Sequence, residues 1–287
     1  MQATIPVPRE DGDAEHAARR AAAVVCLSKL PPFHPAALKL LNVSSETDTA
    51  IRDFEAIFKV DPALTADLLL VANSVMFGGQ ARIGTIRHAL THLGLERVRS
   101  LAATISLSFF VRNQPRAAYV RHIWAHSIAT AVIAEILGDL YGKRELYTNG
   151  LTHDLGRLGL LLSVGAGYER WITPEFPNIE EANRLEHDRF GMDHCEAGAH
   201  VGRKWGFPEV LQDCMIGHHS HEPRPAGDPV ALVQLACRLA EFLGYPEINL
   251  AQPLPLPELP EKVSRCTQLD PERLHDRITR QIDAVGR

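Results

Sequence analysis

The stretch Gly150-Leu151-Thr152-His153-Asp154-Leu155-Gly156-Arg157 sets an imidazole beside a carboxylate in an apolar segment framed by glycines. Both groups are ligands for Zn, Fe or Mn, so the pair reads as the centre of a former or actual metal site. Adjacent side chains on a helix point about 100° apart. His153 and Asp154 can therefore flank a metal set against their helix, but the remaining ligands must come from elsewhere. The chain has candidates: nine of its 14 histidines, at 122, 126, 153, 187, 194, 200, 218, 219 and 221, fall between residues 122 and 221. A His-Asp dipeptide alone is ordinarily a surface pair or a capped helix end, and it is the constellation that points to a site.

Among these histidines, His126 shares a helical face with Ala129, Ile133 and Ile136, at i, i+3, i+7 and i+10, so its side chain is expected in the core. A lone histidine there is usually a satisfied core residue. His194 opens a helix in Gly191-Met192-Asp193-His194-Cys195-Glu196, and His218-His219 close the helix that Pro208 begins. Four helices each delivering His or Asp inward could hold one or two divalent metals. Other pairs carry the blander reading. His88 and His92 are i,i+4 neighbours with nothing nearby to complete a site, which suits a solvated face. His187-Asp188 lies in the charged run Glu186-His187-Asp188-Arg189 and is expected at the surface. Cys214 and His218 are also i,i+4, where a small buried thiol is the ordinary case. No G-x-x-x-x-G-K-[ST], G-x-G-x-x-G or G-x-S-x-G element suggests a nucleotide cradle or a serine nucleophile.

The elements that must position these residues are helices, and the fold class is all-α, with no convincing period-2 strand. Ile51, Phe54 and Phe58 recur at helical spacing after the capping residues of Ser44 to Thr49. Asp61-Pro62 supplies an N-cap and a first-turn proline. Leu64, Leu68, Val71 and Val75 mark the buried stripe that follows, and Gly78-Gly79 ends it. Helices are expected over about 83–92 and 95–112, separated by Gly94 as a left-handed cap. Asn113-Gln114-Pro115-Arg116 divides an N-terminal helical half (19–114) from a second half (115–250). The second half carries helices near 117–137, 144–162, 191–204, 208–220 and 228–243, with a loop from Thr173 to Asn178. Residues 1–18 read as a disordered tail. Residues 251–260 carry four prolines, which suits an extended connector, and a short helix over about 270–284 ends the 251–287 segment.

Composition narrows the function. The 287 residues can bury roughly three quarters of their unfolded surface. Thirty basic against 35 acidic residues give a net charge of −5 and no clustered Lys and Arg, so a nucleic-acid partner is not expected. No signal peptide or spanning segment is evident, so a membrane partner is not expected. Five scattered cysteines without C-x-x-C spacing suit reduced thiols and a cytoplasmic location.

Taken in order, Trp124-x-His126-Ser127, Gly150-Leu151-x-His153-Asp154-x-Gly156, Asp193-His194, Trp205-Gly206-Phe207-Pro208 and His218-His219 resemble the HD superfamily of metal-dependent phosphohydrolases, close to its HD-GYP cyclic-di-GMP phosphodiesterase branch. In the first half, Leu30-Pro31-Pro32, Asp61-Pro62-x-Leu64, Ala72-Asn73-Ser74, Ile86-x-x-Ala89 and Leu93-Gly94 resemble the HD-related output domain, HDOD. The resemblance covers about residues 25–245. It implies an HD-like helical domain with an N-terminal helical half packed on it, in bacterial signal transduction, where such domains act as outputs or scaffolds for signalling proteins. By the same resemblance His126, His153, Asp154, His194, His218 and His219 sit at metal-ligand positions, and Arg157 sits where the phosphodiesterase branch has a phosphate-contacting lysine. Asp154 and Arg157 would be the catalytic pair. The chain departs twice from that pattern. The late aspartate of the superfamily is replaced in Leu235-Ala236-Cys237-Arg238, and Gly244-Tyr245-Pro246 repeats the GYP letters at an unrelated place. The expectation is a regulatory module acting through protein contacts around an altered metal pocket. The alternative is a metal-dependent phosphohydrolase or cyclic-dinucleotide phosphodiesterase acting on a phosphate-bearing small molecule. A small-molecule or redox sensor using the pocket and Cys237 is a third class.

Overall fold

The computed structural model describes residues 10–45, 47–73, 82–111, 117–252 and 255–286. In chain order its helices are α1 (Glu10–Leu27), α2 (Pro35–Asn42), α3 (Ala50–Lys59), α4 (Pro62–Ala72), α5 (Ile86–Leu93), α6 (Leu95–Val111), α7 (Ala117–Tyr141), α8 (Leu146–Thr152), α9 (Leu155–Val164), α10 (Ala166–Ile172), α11 (Ile179–Phe190), α12 (His194–Trp205), α13 (Glu209–Gly217), α14 (Pro229–Phe242), α15 (Glu261–Ser264) and α16 (Pro271–Gly286). The fold is all-α. Among the described residues the strand-like pairing is an isolated parallel bridge between Phe176 and Leu250.

Local signals account for many of the boundaries. The Asp61 side chain accepts from Leu64 N at 2.9 Å, and Pro62 follows it. The Asp228 carboxylate accepts from Val230 N, ahead of Pro229. Gly94 closes α5 with φ 84° and ψ 161°, a positive-φ cap but with extended ψ rather than the left-handed helical value expected. α1 begins at Glu10, inside the stretch whose composition suggested a disordered tail. It docks through buried Ala23 and Leu27, and Arg20 donates to Gly191 O and Glu196 Oε1, so tertiary contact supplies what local sequence does not. Val75, Gly78-Gly79 and the expected boundary at 113–116 lie outside the described residues.

Two apolar clusters form. The smaller gathers Leu40, Phe54, Phe58, Leu64, Leu68, Leu90, Val98 and Leu101 from α2 to α6. The larger is built around α7, whose Ile128, Ile133 and Leu137 are fully buried, and it takes in α1, α8, α9, α12, α14 and α16. The 118–141 span of α7 is long and apolar enough to cross a membrane, but 78% of its most apolar window is buried inside the protein, as in the central helix of a globular core. Across the join, Phe33 packs on Trp205 and Phe207 with ring centroids 5.7 and 4.9 Å away, and Phe110 lies 5.2 Å from Trp205. Arg99 of α6 is a second clip. It donates to Leu40 O at 2.9 Å and to Ser45 Oγ at 2.7 Å, and pairs with Glu145, just before α8, at 2.9 Å.

Candidate metal centre

α8 and α9 are separate helices, and His153 and Asp154 form the break between them rather than lying within one helix as 144–162 suggested. The break turns both side chains into the same interior volume. His126 enters from α7. His194 is the first residue of α12, fixed there by a capping box in which Asp193 accepts from Glu196 N at 2.9 Å and Glu196 accepts from Asp193 N. His218 and His219 follow the C-terminus of α13.

Second nitrogens set how the rings point. Nδ1–H of His126 donates to Tyr245 O at 2.8 Å, that of His153 to Gly150 O at 2.6 Å, that of His218 to Met215 O at 2.8 Å, and that of His194 to Glu186 Oε2 at 2.7 Å. This network favours the tautomer that leaves the Nε2 lone pairs of His126, His153 and His218 aimed inward, the orientation that supports metal ligation, while His194 Nε2 also points inward but lies 3.1 Å from Arg157 Nη2. His126 Nε2 lies 3.1 Å from His153 Nε2, and His194 Nε2 lies 3.1 Å from His218 Nε2.

Two acceptors cannot face each other at that distance without a cation or a proton between them. At the second pair, burial and Arg157 oppose protonation, but Cys195 and Glu186 outweigh them and hold His194 well above its ordinary pKa. Burial drives His126 down to about 4 and His153 well below its usual value, so the first pair has no such proton. The carboxylates make the same demand. Asp154, Glu186 and Glu247 are all 0% exposed, and the one guanidinium among them is Arg157, also 0% exposed. Arg157 Nε lies 3.3 Å from Asp154 Oδ2, Nη2 donates to Glu247 Oε2 at 3.0 Å, and Nη1 lies 3.7 Å from Glu186 Oε1. Arg157 and a protonated His194 together still leave one of the three buried carboxylates unbalanced. Neither Asp154 oxygen accepts a hydrogen bond, and burial, only partly offset by Arg157 and His194, pushes its carboxyl up to about 7. Orphaned acceptors, facing lone pairs and surplus negative charge together fit a divalent cation. The grouped donors are His194, His218, His219 and Glu247; His126, His153 and Cys237; and His126, Asp154 and Glu247, with ligand atoms in each group within 4.8 Å of one another.

Residues 30–221 match the HDOD domain. The chain belongs to the HDOD family. Similar solved structures include an HDOD domain protein of unknown function from Geobacter sulfurreducens, with TM-score 0.67 and 24% identity over 93% of this chain and 89% of that one. A candidate signal transduction protein from Marinobacter aquaeolei VT8 aligns with TM-score 0.66 and 20% identity over 95% of this chain and 65% of its own. A candidate phosphohydrolase from Shewanella amazonensis SB2B aligns with TM-score 0.62 and 21% identity over 93% and 96%. An uncharacterised protein of Treponema pallidum (strain Nichols) is 24% identical over 76% of this chain, which spans 43% of that relative's length.

In this HDOD chain the six residues His126, His153, Asp154, His194, His218 and His219 come together, and Arg157 lies among them. His88 and His92 stay on an exposed face, 6.1 Å apart by ring centroid. Cys214 is a buried thiol that accepts from Asn149 Nδ2 at 3.3 Å. Asp188 is exposed as expected, whereas His187 is half-buried against His16 and Glu186 beside it is fully buried, which the charged run concealed. Its signal was the spacing Ile179, Ala182, Glu186 on one face of α11, a helix that sequence reasoning left out along with α10. Glu247 was missed as well. The Gly244-Tyr245-Pro246 segment set aside as a chance likeness supplies the carbonyl for His126, and Glu247 directly after it brings a buried acid beside the centre.

Proposed function

We propose that this HDOD chain is a regulatory module of signal transduction, in which a closed metal centre organises the second half and output passes through surface contacts with signalling proteins. The observation that carries this reading is the commitment of Arg157. Its guanidinium is fully buried and shared among Asp154, Glu186, Glu247 and the Tyr168 hydroxyl at 3.4 Å, so it has no free fork to offer a phosphate. His126, His153, Asp154 and His194 are likewise 0% exposed, and a catalytic metal site needs an open position. A bound divalent ion would neutralise the surplus carboxylate charge and tie α7, the α8–α9 break, α12 and the end of α13 together.

A second reading, a metal-dependent phosphohydrolase, draws on a cavity of about 200 Å³ lined by Tyr119, His122, Ile172, Glu247 and Asn249. Pockets for drug-sized ligands run to about 300–1,000 Å³, so this space suits a small phosphate ester better than a cyclic dinucleotide. Turnover separates the two readings. Protein loaded with Mn or Fe is expected to hydrolyse neither cyclic di-GMP nor bis(4-nitrophenyl) phosphate above the rate of Asp154→Asn. Robust hydrolysis that disappears in Asp154→Asn and His153→Ala replaces the regulatory reading with the enzymatic one.

A further inference from the structure

The family match ends at residue 221, yet the site is closed by residues beyond it. After α14 the chain turns at Gly244, with φ 88°, and runs across the HD-like half as a strap over residues 245–250. Tyr245 O accepts from His126, Phe176 N donates to Asn249 O at 2.9 Å, and Ala251 N donates to Phe176 O at 2.9 Å. Between these anchors Glu247 turns inward and is fully buried.

Glu247 stands at a particular place in the donor set. It groups with His194, His218 and His219 on one side and with His126 and Asp154 on the other, whereas Cys237 groups only with His126 and His153. Its Oε2 takes Arg157, while Oε1 lies 3.0 Å from His219 Nε2 and has no hydrogen-bond partner. A buried carboxylate oxygen set between two groups of imidazoles has the chemistry of a metal-ligand atom.

We propose that Glu247 is a metal ligand contributed by the 245–250 strap, standing in for the carboxylate absent at Cys237, so that metal loading fastens the strap to the HD-like half. The assignment rests on the metal-centre reading above. It makes strap order a readout of metal occupancy and gives the module a way to pass that state to the chain beyond residue 250.

The test uses the full chain stripped with chelator and titrated with Mn²⁺ by calorimetry, with bound metal counted by elemental analysis. Glu247→Gln, which keeps shape and removes charge, is expected to weaken Mn²⁺ binding at least about tenfold, and Glu247→Asp, which keeps charge and shortens reach, to fall between it and wild type. Mn²⁺ should slow hydrogen exchange at the Phe176 and Ala251 amides in wild type and leave it unchanged in Glu247→Gln. If Glu247→Gln or Glu247→Asp lowers stability, the exchange comparison within each folded protein still decides. Both variants binding Mn²⁺ with wild-type affinity and stoichiometry overturns the assignment of Glu247 alone. Wild type binding none of Mn²⁺, Fe²⁺ or Zn²⁺ removes the metal-centre reading with it.

Discussion

Cys237 is the residue at which one substitution moves the charge balance of the centre. Its Sγ lies 3.6 Å from His126 Nε2, and burial keeps it a thiol by raising its pKa well above the usual range. Cys237→Asp would add a further acid beside Asp154, Glu186, Glu247 and the buried Glu241, whose carboxyl burial pushes up to about 9. Without metal that charge is uncompensated, and the variant is expected to lose about 3 kcal/mol or more of stability. With Mn²⁺ the added hard ligand raises affinity, so melting temperature should climb further on metal addition than in wild type, as followed by calorimetry in chelator and in Mn²⁺. A Cys237→Asp protein that is destabilised and insensitive to Mn²⁺, Fe²⁺ and Zn²⁺ would leave these histidines as structural residues. At this scale the sequence was informative where residue type is rare and clustered, as with the histidines. Glu247 and Glu186 escaped notice because a lone acid carries no mark of burial until its neighbours' faces are known.

Helix packing explains the glycine frame around His153-Asp154. A Cβ on Gly156 would stand 1.9 Å from His194 O and 2.3 Å from Gly198 N, so α9 and α12 touch backbone to backbone. A Cβ on Gly159, one turn along the same helix, would meet only side chains, those of Leu27 at 3.2 Å, Leu30 at 3.4 Å and Val201 at 3.8 Å. Gly156→Ala must therefore separate the helix carrying Arg157 from the helix carrying His194, at an expected cost of about 3 kcal/mol, the upper end for overpacking. Gly159→Ala gains helix propensity against a contact that can yield and should be near neutral. Thermal melts of the two variants and Mn²⁺ titration of each check this: a Gly156→Ala protein as stable as Gly159→Ala and equal in metal binding would contradict the close approach. Periodicity located the long helices, α6, α7 and α14, because a long buried stripe is read many times over. It ran through the α8–α9 break, since the apolar pattern continues across His153 and Asp154, and the turn there is imposed by packing. The short helices α10 and α11 were missed for the converse reason, each presenting only two or three core residues.

Whether the two halves behave as one body follows from where they are joined. Phe33, Phe110, Trp205 and Phe207 form one aromatic contact and Arg99 ties Leu40 O and Ser45 to Glu145, so neither half unfolds without exposing the other's packed surface. The three tryptophans make this measurable. Trp124, Trp171 and Trp205 all lie in the second half, and the smaller apolar cluster of α2 to α6 contains none of them. Tryptophan fluorescence thus reports the half with the candidate metal centre, while helical circular dichroism reports both. For a single cooperative unit the two melting curves coincide. Metal binding to the folded state adds RT ln(1 + [L]/Kd), about 2.7 kcal/mol at a hundredfold excess over Kd, and in a coupled molecule that increment moves both curves together. Arg99→Met should shift the curves apart, because it leaves Glu145 and the Leu40 and Val43 carbonyls without their shared donor and weakens the join more than either core. Wild-type curves that already separate, with only the fluorescence transition rising on Mn²⁺ addition, would show that the N-terminal half does not sense the centre and would confine metal-dependent regulation to the second half and its strap.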